Sequence, residues 1–155
     1  EEVNGKKPSR AEGEFIEAQV FEQAGEFKDA IKRYRFIVGH FPGNTDLADA
    51  RLAWVLATAT NSEDRKPDEA LRIIQRIVSR TKSPTASQLD ILAAAQAATG
   101  DFASAITTAN EAKLNAQRER NNRLEEEISR RLTLYADRKP FIVGEATIAM
   151  PQTPR

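Results

Sequence analysis

One short pattern, in which a glycine and an acidic residue precede a phenylalanine, occurs twice in the chain. Residues 25–31 read Gly-Glu-Phe-Lys-Asp-Ala-Ile, and residues 100–106 read Gly-Asp-Phe-Ala-Ser-Ala-Ile. Glycine allows the positive φ that reverses a chain between two helices, and alanine lets two helices approach closely. The repetition predicts helical hairpins that stack side by side, because one hairpin cannot bury its own apolar face.

Helical periodicity covers most of the chain around these two copies. Phe15, Ala18 and Phe21, for example, have the spacing of one helix face. The alternating pattern of strands is almost absent, so we predict an all-α fold. The later helices are expected at Leu47–Thr60, Pro67–Ser79, Ser87–Thr99, Phe102–Ala116 and roughly Asn115–Asp137.

A third, weaker copy of the pattern lies between the other two. Residues 66–71 read Lys-Pro-Asp-Glu-Ala-Leu, and their Ala70 aligns with Ala30 and Ala105. The first helix of each pair also carries a small residue at a matching place, namely Ala18, Ala53 and Ala93. Three helix pairs are about the minimum from which stacked repeats form a stable domain.

The pattern resembles the tetratricopeptide repeat family, whose unit is a helix–turn–helix of about 34 residues. The marks of that unit are a small residue in the first helix, Gly at the turn, an aromatic residue after it, Ala in the second helix and a closing proline. The first repeat matches best, at Ala18, Gly25, Phe27, Ala30 and Pro42. The second repeat departs most, because its turn at residues 61–66 is longer than usual.

The second and third repeats are similar to a subgroup that we associate with planctomycete-type bacteria. Residues 52–58 read Leu-Ala-Trp-Val-Leu-Ala-Thr, and residues 89–95 read Leu-Asp-Ile-Leu-Ala-Ala-Ala. The resemblance, which covers about residues 12–142, implies a right-handed α-solenoid of three helix pairs at 13–42, 47–80 and 87–116. It also implies a capping helix at 117–138. Residues 1–12 are expected to be a flexible lead-in and residues 139–155 an extended tail.

The predicted capping helix has one apolar stripe and one charged face. The stripe contains Leu124, Ile128, Leu132 and Tyr135. On the charged face, Glu126 and Glu127 each precede an arginine by four residues, which favours ion pairs with Arg130 and Arg131. A helix of this kind suits the exposed end of a stack of repeats.

The resemblance further implies that the first helix of each pair lines a concave face that binds a protein or peptide partner. Trp54 is our preferred anchor, because tryptophan dominates many interfaces. The alternative is that Trp54 packs between repeats. Phe15 is a second candidate anchor, and its alternative is that the N-terminal lead-in covers it. The other positions predicted to contact the partner are Gln19, Glu22, Gln23, Thr58 and Asp90. The small walls of the groove are expected at Ala50, Ala57, Ala94, Ala97 and Ala98.

Several function classes are disfavoured by the composition. The chain has 23 basic and 23 acidic residues, so it lacks the basic excess with which proteins bind nucleic acid. It contains no cysteine, and its single histidine, His40, has no evident catalytic partner. The acidic turn at residues 61–64 lacks the ligand spacing of a calcium loop. We therefore expect no enzyme activity, no cofactor, no metal site and no membrane insertion.

Three functions remain open at this stage. The leading one is a scaffold or adaptor within a larger assembly, and the alternative is a non-catalytic regulatory or recruiting domain of a larger enzyme. The third and weakest is binding of a small ligand in the groove. The chain begins with Glu1, which fits either a mature protein or an excised domain. Both a cytoplasmic and an envelope location are compatible with the absence of cysteine. The apolar tail segment Phe141–Val143 is expected to dock on the body of the domain or on a partner.

Overall fold

The computed structural model of the protein describes residues 9–43 and 45–145, which are mainly helical apart from the turns and residues 137–145. Seven helices follow one another, and the described residues contain no strand, so the all-α prediction is confirmed. The helices are α1 (Arg10–Gln23), α2 (Phe27–His40), α3 (Asp46–Thr58), α4 (Pro67–Arg80), α5 (Ala86–Ala98), α6 (Phe102–Arg118) and α7 (Asn122–Ala136).

Polar side chains define where α1 and α5 begin. The hydroxyl of Ser9 accepts from the backbone N–H of Glu12, whose carboxylate accepts from the Ser9 N–H in return. Thr85 and Gln88 form the same reciprocal cap on α5. Such capping boxes satisfy donors that the first turn leaves free. The predicted lead-in through Glu12 is therefore too long, while residues 1–8 lie outside the described residues.

Four helices end in the same type of turn, but with two different residue types. Gly25 and Gly100 have φ values of +77° and +89°, and Arg120 and Arg138 have φ values of +54° and +57°. In each case the backbone N–H of the next residue donates to a carbonyl in the last helical turn, as the Asn121 N–H does to the Ala116 carbonyl. Arg120 forms the turn after α6, and Asn121 caps the next helix. α7 therefore starts later than the predicted Asn115.

Each helix packs against its neighbours in sequence, and α5 also contacts α3 and α7. All six repeat alanines are completely buried, as close helix approach requires: Ala18, Ala30, Ala53, Ala70, Ala93 and Ala105. Phe27 is buried and Phe102 is half-buried. The apolar side chains form two clusters, of which one lies among α1–α4 and part of α5 and the other among α5–α7.

After α7 the chain crosses back to the end of α3. Ile142 is buried there, and the backbone N–H of Val143 donates to the carbonyl of Thr58 at 2.8 Å. Of the two expectations for this segment, docking on the body of the domain is therefore the observed one. None of the helices in the described residues combines the length and the apolar character that a membrane span requires.

Candidate functional site

Trp54 lies on α3 between two arginines and the returning tail. Its ring centroid is 5.8 Å from the guanidinium carbon of Arg51 and 5.1 Å from that of Arg131. The ring of Phe141 packs beside it at a centroid distance of 5.6 Å. Trp54 is half-buried, so it both packs inside the fold and presents part of its ring to solvent. The two alternatives raised for this residue are therefore not exclusive.

The arginine on the N-terminal side of Trp54 is held by a carboxylate of α1. Arg51 donates to Glu22 through Nε at 3.3 Å and pairs with it again through Nη2. The same carboxylate accepts from the hydroxyl of the buried Tyr34 at 2.6 Å. Burial and the Glu22 carboxylate both raise the pKa of Tyr34, so its hydroxyl stays protonated and donates. Glu22 thereby orients Arg51 against the Trp54 ring.

The arginine on the C-terminal side is held by a carboxylate of α5 in a much drier setting. Arg131 donates to Asp90 through Nε at 3.0 Å and through Nη2 at 2.6 Å, which is a bidentate pair. The two side chains are only 7% and 6% exposed. Burial raises the pKa of Asp90, and the Arg131 guanidinium acts in the opposite direction. The pair ties α7 to α5 and places Arg131 over both Trp54 and Phe141.

A cleft of about 330 Å³ lies where Trp54, α7 and the tail meet. Its walls are partly aromatic and aliphatic and partly charged. The lining residues are Trp54, Glu127, Arg130, Arg131, Leu134, Phe141 and Val143. A second cleft of about 410 Å³ lies against Ile142, at the ends of α3 and α5. The tail is thus bordered by open space on both sides.

Most of the predicted contact residues from α1 and α3 lie at the surface. Gln23 is exposed, and Gln19, Glu22 and Trp54 are half-buried. Phe15 is also half-buried, but its ring packs on Tyr34 at a centroid distance of 5.9 Å, so it belongs in part to the first helix pair.

Two of the predicted contacts have structural partners instead. Thr58 is 1% exposed, and its hydroxyl donates to the carbonyl of Trp54 at 2.7 Å. Asp90 is 4% exposed and fully engaged with Arg131. Neither side chain reaches the surface of the folded chain, because α7 and the tail cover this part of α3 and α5. The predicted walls Ala50, Ala57, Ala94 and Ala97 are buried as well, whereas Ala98 is half-buried.

The arginines and Phe141 are the site residues that sequence reasoning missed. Arg51 precedes Trp54 by one helical turn, which is a signal that could have placed it on the same face. Arg131 was assigned to the solvated face of the last helix, in a pair with Glu127. That contact exists at 3.8 Å, but the closer partner is Asp90, on a helix that is distant in sequence.

Comparisons with other proteins give no family. No protein-family model matches the chain, and no curated protein or solved structure is significantly similar to it. The part of the chain that the structure describes also brings together no group of three or more side chains that could hold a metal ion. The geometry around Trp54 is consequently the main guide to function.

Proposed function

We propose that the chain is a domain of three stacked tetratricopeptide-like helix pairs with α7 as a cap, forming a right-handed solenoid. The contact pattern supports this proposal. Besides sequence neighbours, α3 contacts α5 and α5 contacts α7. Contacts between the first helices of successive pairs are expected when hairpins stack in one direction. The buried alanines at equivalent places in the three pairs support the same arrangement.

We further propose that the domain binds a protein or peptide partner on the surface around Trp54. The observation that carries the proposal is a half-exposed tryptophan with a guanidinium on either side. Tryptophan and arginine are the residue types that most often dominate protein interfaces. Exposed Gln23 and half-buried Gln19 extend this surface along α1 with groups that can hydrogen-bond to a peptide backbone.

Both arginines are ordered before any partner arrives. Glu22 holds Arg51, and Asp90 holds Arg131. Ordering a flexible side chain on binding costs about 0.5–1.5 kcal/mol, so side chains that are already held reduce that cost. Because each arginine has a carboxylate partner, the surface is close to neutral. We therefore expect a partner that binds mainly through apolar and hydrogen-bonding groups rather than through a strong net charge.

The test is a selection of binders from a random-peptide display library on the wild-type chain, followed by affinity measurements on variants. We expect Arg51→Ala and Gln23→Ala, taken together, to lower the affinity for the selected peptides at least tenfold. Arg72→Ala and Gln75→Ala on the exposed face of α4 are matched controls and should leave affinity unchanged. Thermal melts of all four variants show whether the domain stays folded.

Peptides that lose affinity with the α4 variants but not with the α1 and α3 variants would contradict the proposed surface. A selection that enriches no binder at all would contradict the proposed function.

A further inference from the structure

Tail residues 139–142 cross the end of α3 without forming a helix, and residues 142–145 form a turn in which the Glu145 N–H donates to the Ile142 carbonyl. Phe141 and Val143 line the cleft beside Trp54, and Ile142 lines the cleft on the opposite side. The segment is also held through its backbone. The N–H of Val143 donates to the carbonyl of Thr58, and the Val143 carbonyl accepts from the Thr60 hydroxyl at 2.5 Å. Backbone bonds combined with alternate side-chain contacts are how proteins bind an extended peptide.

We infer that the tail occupies a peptide-recognition site in cis, and that a partner segment of matching chemistry binds by displacing it. This inference rests on the proposed function and names the partner class for it. The matching segment carries an aromatic residue followed by two branched aliphatic residues, as in Phe141-Ile142-Val143. The aromatic ring packs against Trp54 at a tilted angle and lies near the Arg131 guanidinium, and the middle aliphatic residue enters the buried position of Ile142.

The tail is held by few enough contacts for another segment to displace it. Its described backbone contacts with the helices are concentrated at Val143, and the chain turns away directly afterwards at Gly144, where φ is +83°. Lys139, Pro140 and Glu145 are exposed, and neither charged residue forms an ion pair with another described residue. The open clefts on both sides leave room for a segment with larger side chains.

The site residues do not depend on the tail for their arrangement. Arg131 is held by Asp90, and the Thr58 carbonyl belongs to the end of α3. A tail that occupies its site in cis competes at an effective concentration of the order of millimolar. The wild-type chain should therefore bind a matching free peptide weakly, and a chain whose tail has been released should bind it strongly.

The experiment measures fluorescence anisotropy of a labelled peptide, Lys-Pro-Phe-Ile-Val-Gly-Glu, with the full chain and its variants. Ile142→Asp releases the tail by placing a charge at a buried position, and Val143→Pro releases it by removing the N–H that bonds to Thr58. Both changes lie in the tail and replace no residue of the helices. We expect each released variant to bind the peptide at least tenfold more tightly than the wild type. Lys139→Ala, at an exposed tail position, should bind like the wild type.

A peptide with aspartate in place of its isoleucine should not bind any form of the chain. Equal affinity for the released and wild-type chains would overturn the inference, and so would absence of binding to released variants that keep their helix content. Loss of cooperative melting in both variants would overturn it too, because the tail would then be part of the core. If the display selection succeeds while this peptide fails, the proposed function stands and only the role of the tail is rejected.

Discussion

Trp54 is flanked by two groups of the same composition, each containing a carboxylate, an arginine and a tyrosine. On the N-terminal side these are Glu22, Arg51 and Tyr34, and on the C-terminal side Asp90, Arg131 and Tyr135. In the N-terminal ion pair the side chains of Glu22 and Arg51 are 12% and 29% exposed. In the C-terminal pair the side chains of Asp90 and Arg131 are only 6% and 7% exposed. The tyrosines differ as well, because Tyr34 donates to Glu22 while the Tyr135 hydroxyl bonds to no described residue.

The difference shows how one side of Trp54 is sealed by the chain itself, apart from the cleft beside Phe141, while the other side is left open. α7 and the tail cover the C-terminal side, where the ion pair holds α7 onto α5. The N-terminal side has no such cover among the described residues, so Arg51 and the glutamines of α1 remain accessible. The helix ends differ along the chain as well, since the turns after α1 and α5 use glycine at positive φ and the turns after α6 and α7 use arginine.

The largest expected effect follows from breaking the sealed pair. Asp90→Ala leaves the Arg131 guanidinium buried without its partner and should lower the free energy of unfolding by about 3–5 kcal/mol. Arg51→Ala, at the half-exposed pair, should cost about 1 kcal/mol. Urea denaturation measures both. The double variant Asp90→Leu/Arg131→Met should recover most of the loss, because it removes both charges together. Equal costs for the two single variants would remove the distinction between the sealed and open sides.

The two tyrosines give a second comparison of the two sides, with stability effects of intermediate size. Tyr34→Phe removes a hydrogen bond to a carboxylate and should cost about 2 kcal/mol. Tyr135→Phe removes a buried hydroxyl that has no partner among the described residues, so stability should stay constant or rise. Chemical denaturation of the two variants gives the comparison directly, since both rings are completely buried. A large loss from Tyr135→Phe would show that its hydroxyl is bonded.

The smallest effects are expected at the turns. Arg120→Gly relieves an arginine at φ +54° and should raise stability by about 1 kcal/mol. Gly25→Ala, at φ +77°, should lower stability by a similar amount. The new methyl group meets no neighbouring atom, so the cost comes only from the backbone conformation. Melting temperatures of the two variants should therefore move in opposite directions. Gly39→Ala is the control, since Gly39 is helical and should gain stability.

The helices could largely be predicted because apolar periodicity and glycine turns are local signals. α6, for example, begins at Phe102 directly after Gly100 and the capping Asp101. The end of α6 is not evident from the sequence, because Arg120 adopts a positive φ although arginine carries no turn signal, whereas Asn121 is a local N-cap signal for the start of α7. The spacing of Ser9 and Glu12 is itself a local signal for the capping box that begins α1.

The site could be predicted only in part. Trp54 and the face of α1 follow from helical spacing within one element. The burial of Asp90 depends on Arg131, which lies on a helix far along the chain, and no pattern in a single sequence connects the two residues. The seating of Phe141 beside Trp54 likewise depends on the path of the tail, which is set by tertiary packing.

Native-state hydrogen exchange at the Val143 amide shows whether the surface around Trp54 is a binding site partly occupied by a separable tail. We expect this amide to be protected, and to open at a free energy well below that of the buried amides of α5, which open only on global unfolding. An opening free energy equal to that of α5 would mean that the tail unfolds only with the whole domain and is not separable. An unprotected Val143 amide would mean that the tail is not docked.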